Sequence, residues 1–109
     1  MDRRLKKSTL IYKIFETNNY FRDGNFVQYF DKEILLWDKN FRQPNTPLVF
    51  DNIIVSNVNV DLKNIKSNQL IIDSSVSKTK SEQIKKECLK WDIPFYDVNK
   101  NGFFIYNLN

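Results

Sequence analysis

The hydrophobic pattern changes rhythm along the chain. From Asn25 to Phe30 it alternates, with Phe26, Gln28 and Phe30 on one face and Val27 and Tyr29 on the other. A period of two predicts a strand with one face covered. Tyr20-Phe21 leads into Arg22-Asp23-Gly24-Asn25, where Asp-Gly suits a tight hairpin. Asp31-Lys32 predicts a second two-residue turn, and Glu33 to Asp38 the next strand, so this region reads as an antiparallel meander. Further on, alternation gives way to unbroken runs. Ile53-Ile54-Val55 lies inside a strand from Leu48 to Ser56, and Leu70-Ile71-Ile72 forms another run. Continuous apolar runs suit strands covered on both faces, as in a sheet layered with helices.

The rhythm then becomes helical. Ile84, Cys88 and Trp91 fall at i, i+4 and i+7, with Leu89 widening the stripe. Thr79 followed by Glu82 fits a capping box at the helix start. Lys80, Lys85, Lys86, Glu87 and Lys90 lie off the stripe and are expected to face water. Pro94 is expected to end the helix. Phe95 to Val98 then reads as a strand, Asn99 to Gly102 as a turn, and Phe103 to Leu108 as the strand closing a hairpin. Elsewhere, Leu10 to Phe15 reads as a first strand or a short apolar segment, and Asn40 to Pro47 as a connector. Asp61 is expected to cap a short helix, Asp61 to Ser67, with Leu62 and Ile65 facing inward. The expected fold is α/β: a meander of antiparallel strands continuing into a mixed sheet with two helices. Residues 1–8 read as a charged N-terminal tail and residues 9–109 as a single α/β domain.

Charge adds one lead. The net charge is +4, carried by Arg3, Arg4, Lys6 and Lys7 and by the lysines from Lys78 to Lys90. Basic patches contact phosphate backbones, which makes Lys78, Lys80, Lys85 and Lys86 candidate nucleic-acid contacts; the competing reading is a solvated helix face. No apolar run is long enough to span a bilayer, and the basic N-terminus lacks the apolar stretch of a signal peptide. The chain is therefore expected to be soluble as given, without direct membrane insertion.

Composition mainly removes chemistry. The chain has no histidine, one cysteine and two glycines. A Ser-His-Asp triad, a Cys-His pair, imidazole-based zinc sites and a glycine-rich phosphate cradle are thereby excluded. No catalytic residue, metal ligand or cofactor is expected. Cys88 sits on the helical stripe and reads as a small core residue. Asp38, Asp51, Asp61 and Asp73 lie near element ends, where capping and turn formation account for them. Asp73-Ser74-Ser75 is the best polar cluster at a strand's carboxyl end, although nothing orients it as nucleophile and base.

The order of these parts resembles the C-terminal part of the metallo-β-lactamase-like domain of ComEC-type competence proteins, which take up DNA, closest to versions from the Bacteroidetes lineage. The resemblance covers roughly Gly24 to Asn109. It rests on Ile72-Asp73-Ser74-Ser75 before a basic helix, Lys86-Glu87-Cys88, Ile93-Pro94-Phe95-Tyr96-Asp97-Val98 and Gly102-Phe103-Phe104. It implies the C-terminal half of a metallo-β-lactamase αββα sandwich. Family members with an intact site carry a His-His-Gly-Ser-like segment directly after the strand matching Ile53 to Val55. Here that place reads Ser56-Asn57-Val58-Asn59, and asparagine amides are poor transition-metal ligands beside imidazole. The resemblance thus implies a degenerate, metal-free accessory domain or fragment of a DNA-uptake protein. Its implied partners are DNA and a membrane channel protein of the uptake machinery, and its implied location is beside the inner membrane. Two other readings stay open: a small α/β interaction or scaffold domain, and a hydrolase whose site another chain completes.

Overall fold

The computed structural model describes residues 20–101. They form one six-stranded mixed sheet whose strands lie in chain order. Strands β1 (Tyr20–Asp23), β2 (Phe26–Tyr29) and β3 (Lys32–Trp37) make the antiparallel meander. Strands β4 (Leu48–Val55), β5 (Ile65–Ile72) and β6 (Phe95–Asp97) then continue parallel to β3. Helix α1 (Lys78–Lys90) is the crossover from β5 to β6, and a single helical turn, α2 (Val98–Asn101), follows β6. The expected α/β class is observed, an antiparallel meander continuing into a mixed sheet with two helices, although one of the helices lies elsewhere than expected.

The continuous apolar runs explain the centre of the sheet. Leu35, Ile53, Val55, Leu70 and Ile72 point to the α1 side and join Ile84 and Cys88 in one core. Ile34, Leu36, Ile54 and Ile71 point to the opposite side and join Val27 and Tyr29 in a second. In β2 the alternation holds as expected: Val27 and Tyr29 are buried, while Phe26, Gln28 and Phe30 are exposed.

Several local expectations are corrected. The second hairpin turn is Phe30-Asp31 rather than Asp31-Lys32: Lys32 pairs with Tyr29, and Phe30 takes the left-handed conformation at φ 56. The helix expected from Asp61 to Ser67 does not form. Asn64 is left-handed at φ 64, and Ile65 already pairs with Leu48 at the start of β5. Leu62 and Ile65 are buried all the same, because a turn and a strand start place them on the α1 core. The residue capping α1 is Ser77, whose hydroxyl accepts from the Lys80 amide at 3.3 Å, and not Thr79.

The helical stripe is also narrower than expected. Ser81, Ile84 and Cys88 are buried, whereas Leu89 is 74% and Trp91 39% exposed. The helix ends before Pro94. Asp92 is left-handed at φ 59, and the Ile93 amide reaches back to the Cys88 carbonyl at 2.9 Å, a Schellman closure. Residues 98–101 form the helical turn α2 where the start of a hairpin turn was expected. The strands expected at Leu10 to Phe15 and Phe103 to Leu108, and the tail at 1–8, lie outside the described residues.

Candidate functional site

In an open α/β sheet, ligand-binding groups gather beyond the carboxyl ends of parallel strands. Here those ends carry Asp38 after β3, Asn57 after β4, Asp73-Ser74-Ser75 after β5, and Asp97 at the end of β6. α1 starts at the same edge.

Most of these groups are spent on backbone. Asp38 Oδ1 accepts from the Asn40 amide at 2.8 Å and from Asn25 Nδ2 at 3.0 Å. Asp51 accepts from the Glu33 amide at 2.7 Å, and Asp61 from the Lys63 amide at 3.0 Å. Asp73 Oδ2 accepts from the Ser75 hydroxyl at 2.9 Å, so the Asp73-Ser74-Ser75 cluster closes on itself as a turn. Asn57 Oδ1 accepts from the Ser77 amide at 2.9 Å, and its carbonyl lies 3.3 Å from Lys80 Nζ. Asn99 Nδ2 donates to the carbonyls of Ser74 at 3.2 Å and Val76 at 3.5 Å.

The densest chemistry is a triad that sequence reasoning did not single out. Lys85 Nζ stands 2.8 Å from Asp97 Oδ2, with side-chain exposures of only 14% and 7%. The Ser81 hydroxyl donates to the same oxygen at 3.2 Å, and the Asn99 amide donates to Asp97 Oδ1 at 3.0 Å. Ser81 and Lys85 reach one carboxylate because residues four apart share a helix face. The hydrogen bond to Asp97 holds the Lys85 ammonium above its usual pKa, against the opposing effect of burial. Burial alone would push the Asp97 carboxyl up, but the Lys85 contact, helped by Ser81 and Asn99, holds it below its usual range. The Ser81 hydroxyl thus presents its proton to Asp97, the same carboxylate that matches the Lys85 ammonium.

Beside the triad is a cleft of about 170 Å³ lined by Val76, Ser81, Glu82, Asn99 and the lysines Lys78 and Lys100, with the Lys85–Asp97 pair also reaching it. Of the four candidate lysines, Lys78 is exposed on this cleft, Lys80 is directed to Asn57, Lys85 is committed to Asp97, and Lys86 is exposed. They do not act as one uniform solvated face. The signal that could have exposed the triad is Asp97 itself, a carboxylate ending a strand one helix away from Ser81 and Lys85. Burial pushes the Cys88 thiol up to about 12, which leaves it an inert core group.

The donor set does not fit a transition metal. Among the described residues, no group of three or more His, Cys, Asp or Glu side chains could hold an ion, and no buried side-chain nitrogen or oxygen lacks a hydrogen-bond partner. The Asn57 amide oxygen already accepts from the Ser77 amide.

The sequence matches the family model of the ComEC C-terminal domain over residues 1–108. The chain belongs to that family. Comparisons with curated proteins and with solved structures return no match. Among the described residues, no helix is long and apolar enough to cross a membrane.

Proposed function

We propose that this chain is a metal-free, non-catalytic domain of a ComEC-like DNA-uptake protein, which meets DNA through the basic surface at the start of α1. The observation that carries this reading is the family match over residues 1–108, in a sequence without a single histidine. The surface it assigns contains Lys78, Lys80 and Lys86, which lie at the carboxyl edge of the sheet or along α1. The same reading extends the fold to the C-terminal half of a metallo-β-lactamase-like sandwich, in which the ligand positions have become turn and cap residues. It places the domain beside the inner membrane, next to the channel protein of the uptake machinery.

Fluorescence anisotropy of labelled single- and double-stranded oligonucleotides, measured over a series of salt concentrations, tests the DNA contact. Affinity is expected to fall linearly on a log–log scale as counterions compete. Absence of binding at low salt would overturn it. Incubation of the same oligonucleotides with manganese or zinc tests the non-catalytic part. Intact DNA is expected; cleavage that disappears in Asp73→Ala would assign hydrolysis to this chain.

A further inference from the structure

Sequence alone gives Lys85 the same standing as its neighbours, as one more cation for a phosphate. The structure separates them. Lys85 is sunk between α1 and β6 with its ammonium on Asp97, while Lys78 and Lys100 are exposed on the cleft above it. Lys78 opens α1 and Lys100 belongs to α2, so two elements from opposite ends of the β5–α1–β6 crossover supply the pair. Among the described residues, neither enters an ion pair. Besides the Lys85–Asp97 pair, the cleft carries Glu82, whose carboxylate is 57% exposed and 3.7 Å from Lys85 Nζ.

We infer that Lys78 and Lys100 contact two neighbouring phosphodiester groups of one DNA strand, one each, and that the Lys85–Asp97–Ser81 triad stabilises the fold beneath them and does not itself touch DNA. This deepens the proposed function and rests on it. A lysine already matched by a carboxylate offers little net attraction to a second anion, whereas an exposed ammonium releases a counterion for each phosphate it neutralises. Asp97 holds α1 through Ser81 and Lys85 and holds the first turn of α2 through the Asn99 amide. One carboxylate thereby fixes the two elements that carry the lysines. Glu82 faces the same cleft and works against the contact.

The test is the salt dependence of oligonucleotide binding by the full chain and four variants, with a thermal melt of each. Lys78→Ala and Lys100→Ala are each expected to flatten the salt slope by about one phosphate contact, roughly 0.7–0.9 in log–log slope, without shifting the melt. Lys85→Met is expected to lower the melting temperature; at temperatures where it is folded, it retains the wild-type slope. Glu82→Gln, a surface change that keeps the fold, is expected to tighten binding at low salt. A Lys100→Ala protein with the wild-type slope overturns the inference, as does a folded Lys85→Met protein with a flattened slope, while the DNA reading survives either result. Failure of the wild-type chain to bind at all removes the reading on which the inference rests.

Discussion

The two halves of the sheet differ in how they are stabilised and in what they offer. In the meander, β1 is exposed along its whole length, and Phe21 and Phe26 lie largely on the surface. Phe26 stacks on Phe50 at 6.0 Å and meets Phe41 edge-on at 6.1 Å, so aromatic contacts near the rim add to the buried Val27, Ile34 and Leu36 in holding this half. In the parallel half, β4 and β5 carry apolar triplets buried on both faces, and β5–α1–β6 closes over them. The meander ends in backbone turns. The parallel half ends in charged side chains collected at one edge. Both halves therefore share the buried cores through β2 and β3, while the candidate chemistry gathers in the parallel half.

Substitutions can break this contrast. The largest effect is expected from Ile54→Ala, which empties a fully buried position in the second core: a loss of about 2–5 kcal/mol in denaturant unfolding. A loss below 1 kcal/mol would mean that the second core, shared by β2, β3, β4 and β5, does not hold the sheet together. Next comes Lys85→Met, which leaves the Asp97 carboxylate unpaired and is expected to cost about 1–3 kcal/mol at neutral pH.

The pair also has a pH signature. Asp97 titrates below its usual value of 3.8 in the folded state, so its contribution is present above that pH and is lost as pH falls through the lowered folded value. Lys85 titrates above 10.5, so its contribution is complete below that pH and is lost as pH rises through the raised value. Urea midpoints compared from neutral pH down to strongly acid pH should show the gap between wild type and Asp97→Asn narrowing on the acid side. A constant gap would contradict the pairing.

A smaller effect separates two helix starts. Ser77→Ala is expected to cost about 1 kcal/mol and Thr79→Ala only a few tenths, measured as shifts in urea midpoint. Equal losses would return the cap to Thr79. Smallest of all, Phe21→Ser at a position 69% exposed in β1 should stay within about 0.5 kcal/mol.

The legible parts were those in which local pattern and burial agree. Val27 and Tyr29 alternate with Phe26 and Gln28 because one face of β2 is covered, and Ile71 and Ile72 run together because β5 is covered twice. The illegible parts turned on left-handed residues. Phe30 is a poor candidate for φ 56, so the hairpin register slipped by one in the sequence reading. Asn64 ends what looked like a helix because its carbonyl is needed by the Leu48 amide at 2.9 Å. For the candidate site, the polar cluster at Asp73 was visible because it follows an apolar run. The triad was not, because Lys85 and Asp97 meet only once α1 has folded back onto β6, and a lysine off the apolar stripe looks the same in sequence whether it faces water or a carboxylate.

The most direct measurement is the affinity of the full chain for a labelled oligonucleotide, taken over a series of salt concentrations with and without a chelator. A domain that meets DNA through lysines and without metal gives a straight log–log decline that EDTA leaves unchanged. Binding that vanishes with EDTA, or is absent at the lowest salt, contradicts it.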